Sequence, residues 1–250
     1  MLELYHDWSA VCCFKVRLCL AEKNLAWESR VIDLLKLEQL KSEYLRLNSN
    51  GVVPTLVHDG NALWESSLIN EYLNEVFPAV NLIPNHPVEK ARMRYWVKFE
   101  DDVLFPIVGS ATVNLIIRQA LSGLPKDLVE ERLTQHPNPD RAAVLRNALN
   151  KPEVDVQAVE DASQRMNKAL LRMERRLSEA PWFSGETYSL ADIASAALIE
   201  RLEELNFMGL WKDKPAVKNW IDRVKARPAY QIALLQTTQR MPKPDWNCKT

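Results

Sequence analysis

The stretch GVVPTLVHDGNALWESSLINEYL, residues 51–73, sets two short apolar runs around a central HDGN and ends on Glu65-Ser66-Ser67 ahead of a helical pattern. An Asp-Gly pair between apolar runs favours a tight hairpin, because both turn residues tolerate a positive φ. A serine where a helix begins can accept a hydrogen bond from one of its orphan N–H groups. The segment therefore predicts strand, turn, strand, and then a helix from about residue 66 to 76.

Upstream, LELY (2–5) alternates as a short strand, and the spacing from Val11 to Lys23 is helical. AWESRVID (26–33) alternates again, so the two strands and the helix form a β-α-β unit with a right-handed crossover. A shorter helix is expected around residues 37–46. Residues 1–78 thus read β-α-β-α-β-β-α. FPAVNLIPNHPVEKA (77–91) carries three prolines and reads as a linker, assigned to residues 79–88. Everything from 89 to 240 reads as helix, with a tail at 241–250. The first long helix is expected to break at Pro106, and further helices are expected over the stretch beginning at Val154, over 190–205 and over 215–236. The polar, proline-punctuated run 120–155 reads as an excursion between two long helices. The fold class is α/β + all-α: a small mixed-sheet domain followed by a helical bundle.

Composition narrows the function. At 250 residues and 47% hydrophobic content, the chain can bury a full core without staples. A net charge of −1, from 32 basic and 33 acidic residues, gives no electrostatic argument for nucleic acid. With 6 glycines and no phosphate-cradling loop, nucleotide binding is not indicated. No signal-like segment opens the sequence and no apolar run reaches the ~20 residues that cross a bilayer, so a soluble cytoplasmic protein is expected, with no membrane partner. Three of four cysteines fall within eight residues, which suits reduced thiols rather than a disulfide scaffold. The histidines show no metal spacing.

Three motifs carry a family resemblance. GVVPTLVHDGNALWESSLINEYL resembles the cis-proline segment, hairpin and acid-serine turn of the cytosolic glutathione transferases. GETYSLADIASAALI (185–199) resembles the signature at the start of a buried helix in their second domain. SAVCCFKVRLCLAEKNL (9–25) fits their first strand–turn–helix. Within the superfamily the chain is similar to bacterial members, the tetrachlorohydroquinone dehalogenase-like proteins and the β-etherase and nu-class enzymes. The resemblance implies a thioredoxin-like N-terminal domain with a mixed four-stranded sheet, glutathione as cosubstrate, an apolar electrophile and a homodimer.

It also implies roles. A cis Val53-Pro54 bond would turn the strand edge outward, so that Val53 pairs with the cysteinyl backbone of glutathione. Ser66 would bind the γ-glutamyl carboxylate at a helix N-terminus, where free N–H groups favour anions, and Glu65 would help hold the α-amine. Gln39 and Lys41 sit where relatives place ligands for the glycyl carboxylate, although Val52 replaces a frequent lysine. Cys12 aligns with the nucleophilic cysteine of the dehalogenase-like relatives, and Cys13 with a neighbouring serine. Ser9 lies one residue from the hydroxyl position of theta-like enzymes, which here is Ala10.

Taken by itself, a thiol in a helix's first turn has its pKa lowered from about 8.5 into a range of about 3.5–7.5. With Ser9 as N-cap, Cys12 would be the third helical residue. Both cysteines also read as ordinary small packing residues, as do Cys19 and Cys248. Ser189-x-x-Asp192 reads as a capping box. Glu100, Asp101 and Asp102 read as a solvated helix face, while Arg94, Tyr95 and Trp96 are candidates for a cleft wall. Tyr5 and Tyr44 fall outside any activating position. The leading function is glutathione-dependent conjugation, with dehalogenation or ether cleavage as extensions. A non-catalytic glutathione- or partner-binding protein is the alternative. A disulfide oxidoreductase fits poorly, because adjacent cysteines are not C-x-x-C.

Overall fold

The computed structural model describes residues 1–151 and 153–234; the expected tail, with Trp246 and Cys248, lies outside the described residues. Strand β1 (Leu2–His6) buries Leu2, Leu4 and His6 on one face, as its alternation requires. Helix α1 (Val11–Glu22) crosses over to β2 (Glu28–Val31), which pairs parallel to β1. Strands β3 (Thr55–His58) and β4 (Asn61–Trp64) form the hairpin, and β3 pairs antiparallel to β1. Asp59 and Gly60 both have positive φ, at 49° and 82°, as their turn demands. The sheet order is β2-β1-β3-β4, and α1 packs against α3 (Ser66–Val76). This is the thioredoxin-like arrangement.

The helix expected over 37–46 is instead broken. Leu34–Lys36 and Glu38–Leu40 are single 3₁₀ turns separated by Leu37 at φ 55°, and only α2 (Ser42–Leu45) is α-helical. A left-handed residue cannot continue a right-handed helix.

The first helix of the second domain does not break at Pro106. Helix α4 runs from Pro87 to Ser122, 36 residues, with wider π turns at Glu100–Leu104 and Val113–Ile117. Just ahead of the proline, the Phe105 N–H reaches the Glu100 carbonyl, so the chain has already stepped out of the four-residue ladder that a proline interrupts. By length and composition α4 would pass for a membrane span. Its apolar residues serve the core instead: Met93, Trp96, Phe99, Leu104, Ile107 and Ala111 are all buried.

The 120–155 excursion contains two helices, α5 (Lys126–Thr134) and α6 (Pro139–Asn150). Their prolines stand at the helix starts, where a missing N–H costs nothing. Helix α7 (Val156–Glu179) turns an apolar stripe from Val159 to Leu177 inward. Helix α8 (Leu190–Glu204) is buried almost all round and lies against α1. The last expected helix is two, α9 (Pro215–Lys225) and α10 (Pro228–Ala233), because Pro228 starts a new one.

Candidate active site

The Val53-Pro54 peptide is cis. The loop leading into it is pinned from inside: the Tyr44 hydroxyl donates to the Val52 carbonyl at 2.6 Å, and Asn48 Nδ2 donates to the same oxygen at 2.9 Å. Both side chains also bond the Thr55 hydroxyl. Tyr44 is thus a scaffold residue, its phenol pushed well up by burial.

Two helices start from strands paired with β3 beside this edge: Thr55 stands opposite Trp64, just before α3, and opposite Tyr5, on the strand that leads to α1. Helix α3 opens after Glu65, whose φ of 69° places a non-glycine residue in the left-handed region, and no side chain caps it. Such strain persists where the surroundings enforce it, commonly at functional positions. Ser66 is buried, and Ser67 Oγ donates to Asp101 Oδ2 at 2.7 Å. Helix α1 opens after Ala10, not Ser9. Ser9 is drawn off by Asp7, which accepts from its hydroxyl at 2.6 Å and its N–H at 2.7 Å. Cys12 is therefore the second helical residue and Cys13 the third.

Ser66 comes near enough to Cys12 for its hydroxyl to pull the thiol's pKa down, which brings the two helix starts together. Its residue keeps partial exposure, yet the thiol is pushed up to about 11. Burial is the largest cause, with Lys15 pulling the other way and Glu100 adding to the rise. Desolvation thus works against the thiolate that the helix terminus by itself would favour. Cys13 is fully enclosed, and burial drives its thiol higher still. It occupies a packing position beside Arg17, as Cys19 does further along the helix. Cys12, Cys13 and Cys19 are all free thiols.

Glu100 is not on a solvated face. It is 1% exposed and paired with the buried Lys15 ammonium, which also reaches Asp101 Oδ1 at 2.9 Å. Burial raises the Glu100 carboxyl to about 7 against the pull of Lys15. Burial works against the Lys15 ammonium, but the two acids more than offset it and its pKa is raised. The pair ties α1 to the first π turn of α4 within reach of Cys12. Sequence reading missed Lys15; its signal was a cation set among the apolar residues of CCFKVRLCL.

Of the residues expected at the glycyl end, Gln39 is buried, and its Oε1 has no hydrogen-bond partner among the described residues. Lys41 Nζ pairs with Glu38 at 2.8 Å. Trp96 is core, packed on Phe183, rather than a cleft wall; Arg94 pairs with Glu71, and Tyr95 is exposed. Asp192 is structural: it bonds Ser189 and accepts from Phe183 N–H and Trp220 Nε1. A cleft between the domains is lined by Trp8, Val11 and Phe14 on one side and by Ala197, Glu200 and Leu234 on the other. Arg201, also in the lining, donates to the Ser9 carbonyl at 2.6 Å.

Residues 10–76 match the family model of the glutathione S-transferase N-terminal domain, and residues 138–228 that of the C-terminal domain. Protein LigF of Sphingobium sp. strain SYK-6 is 30% identical over 235 residues, 91% of each chain. The crystal structure of that β-etherase superposes with a TM-score of 0.85 over 93% of this chain and 98% of LigF. The tetrachloro-p-hydroquinone reductive dehalogenase of Sphingobium chlorophenolicum is 26% identical over 245 residues, 93% of this chain and 95% of its own.

Proposed function

The chain belongs to the glutathione S-transferase family, and from that premise we propose that it is a glutathione-dependent transferase acting on apolar electrophiles. The observation that carries this reading is the convergence of the cis Val53-Pro54 edge and the strained Glu65–Ser66 helix start, with Ser66 near Cys12. Glutathione lies with its cysteinyl backbone along Val53, its γ-glutamyl end at Glu65 and Ser66, and its glycyl end toward Gln39 and Lys41. Its sulfur reaches the opening turn of α1, where unspent N–H groups and the Cys12 S–H stabilise the thiolate. The thiolate displaces a leaving group from an electrophilic carbon held in the cleft beside Trp8, Val11 and Phe14.

A Cys12 thiol raised to about 11 is almost wholly protonated near neutrality, which favours a hydrogen-bond donor over a nucleophile. The likeness to a reductive dehalogenase supports a second reading, in which Cys12 attacks the sulfur of an aryl–glutathione conjugate. That step yields the reduced arene and a Cys12–glutathione disulfide, and a second glutathione then releases glutathione disulfide and restores the thiol. Ser9, held by Asp7, and Cys13, packed inside the fold, back the sulfur site without touching the sulfur.

The test is glutathione titration followed by turnover of an aryl chloride with Cys12→Ser. Retention of at least a tenth of the activity supports conjugation, and complete loss with a glutathionyl adduct on Cys12 in the wild type supports thiol transfer. Binding without turnover across a panel of aryl chlorides and aryl ethers leaves a glutathione-binding module. No binding at millimolar glutathione overturns the reading.

A cytoplasmic homodimer with a detoxifying or degradative role completes the proposal. Exposed Trp64, Leu68 and Tyr95 on β4, α3 and α4 support the dimer, and sedimentation tests it.

A further inference from the structure

We infer that the α5–α6 hairpin braces the segment that receives the glycyl end of glutathione, making the excursion the element that lets this chain distinguish the whole tripeptide from its first two residues. The inference rests on the glutathione reading above and adds a role to residues far from the sulfur.

The described residues bury two separate apolar clusters, and the smaller joins the two domains. Leu37 and Leu40 enter it from the first domain, Val129 and Leu133 from α5, and Leu145 and Leu149 from α6. Leu37 and Leu40 flank Gln39, the 92%-buried amide whose Oε1 has no partner among the described residues. The segment has little regular structure of its own, only single 3₁₀ turns around a left-handed Leu37. Its two leucines are held by the hairpin, and their positions fix that of Gln39 between them.

The tip of the hairpin makes a second contact. Gly51 has φ +61°, and a methyl group there would come within 3.2 Å of Pro137 Cδ and 3.0 Å of Leu40 Cδ2. Pro137 thus lies over the backbone two residues before Val53. The hairpin itself is stiffened by Arg146, which pairs with Glu130 across its two helices at 2.8 Å. At its base, Arg118 donates to Asn114 Oδ1 at 2.9 Å and also reaches the Lys151 carbonyl. Core and tip therefore press on both ends of the stretch from Leu37 to Gly51, and on no residue assigned to the γ-glutamyl end.

The experiment measures Kd by calorimetry for glutathione and for γ-glutamylcysteine, which lacks the glycine. In the wild type, glutathione is expected to bind about tenfold tighter. Leu133→Ala and Leu145→Ala should weaken glutathione roughly fivefold to tenfold while leaving γ-glutamylcysteine within twofold, and Leu133→Met should restore the gap. Should the alanine variants not fold, Pro137→Ala, which removes only the ring over Gly51, carries the same comparison with a smaller loss. Equal weakening of both ligands, or an unchanged gap, overturns the brace while sparing the glutathione site. A wild type that binds both ligands equally also overturns it, and one that binds neither removes the glutathione reading with it.

Discussion

Helix α8 and helix α1 begin in opposite ways. At the start of α8, the Ser189 hydroxyl accepts from the Ala191 N–H at 3.3 Å, and the Asp192 carboxylate takes the Ser189 N–H at 2.9 Å. Asp192 is fully buried and serves Phe183 and Trp220 as well. At the start of α1, Ala10 offers no side-chain acceptor, and the first turn holds no acidic residue. Ser9, the one neighbour that could have capped it, is bound to Asp7. The helix whose start is buried in the core satisfies its own donors, and the helix beside the cis-proline edge leaves its donors for something else. An unmet backbone donor costs free energy unless water or a ligand meets it.

The contrast can be broken from its closed side. Asp192→Ala strands several buried donors at once and should cost about 5 kcal/mol, read as a lowered denaturant midpoint; a loss below about 2 kcal/mol would show that the cap is not what holds this corner. Burial raises the Asp192 carboxyl from 3.8 to about 6. Because the folded value is the higher one, this group stabilises the fold most below pH 3.8. That contribution, about 3 kcal/mol, is lost as pH rises through about 6. Asp192→Asn should therefore flatten the fall in stability between pH 4 and 6.

The buried pair beneath the open side comes next. Lys15→Met leaves Glu100 and Asp101 without their cation and should cost about 3–4 kcal/mol. Lys15 also holds the Cys12 thiol lower than burial alone would, so the same variant should alkylate more slowly at Cys12 with iodoacetamide at pH 8.5. A faster reaction would show that Lys15 shields the thiol rather than tuning it. The smallest effect sharpens the comparison most. Ala10→Asp gives α1 the cap it lacks and should add about 1 kcal/mol of stability. Turnover should fall at the same time, because the new carboxylate opposes a thiolate at that turn. Stability and activity rising together would mean the open end has no ligand to serve.

Much of this was legible locally. Alternation in LELY, the Asp59-Gly60 turn and the Ser189–Asp192 box state their structures within a few residues of sequence. Burial is not written locally, and that is where reading along the chain fell short. Glu100 looked solvated because its partner Lys15 lies 85 positions away. Cys12 looked acidic because a helix terminus is visible in sequence, whereas the packing that desolvates it is not. The helices α5 and α6 were read only as a polar, proline-punctuated excursion, because prolines also mark breaks, although Pro139 stands at the first position of α6.

The π turn at Glu100–Leu104 has a consequence for how this chain could change its length. It holds one residue more than an ordinary helical turn would and absorbs it within the turn, so removing one there returns ordinary helix and keeps the two halves of α4 near their present register, whereas a deletion in an ordinary turn would rotate them by about 100°. Trp96 and Phe99 lie before it, Ile107 and Ala111 after it, and all four point into one core. Trimming a single residue from an ordinary turn of α4 would expel one set or the other, while trimming it from the π turn would not. A one-residue change in the length of α4 should therefore be tolerated at this turn and not in the ordinary turns around it.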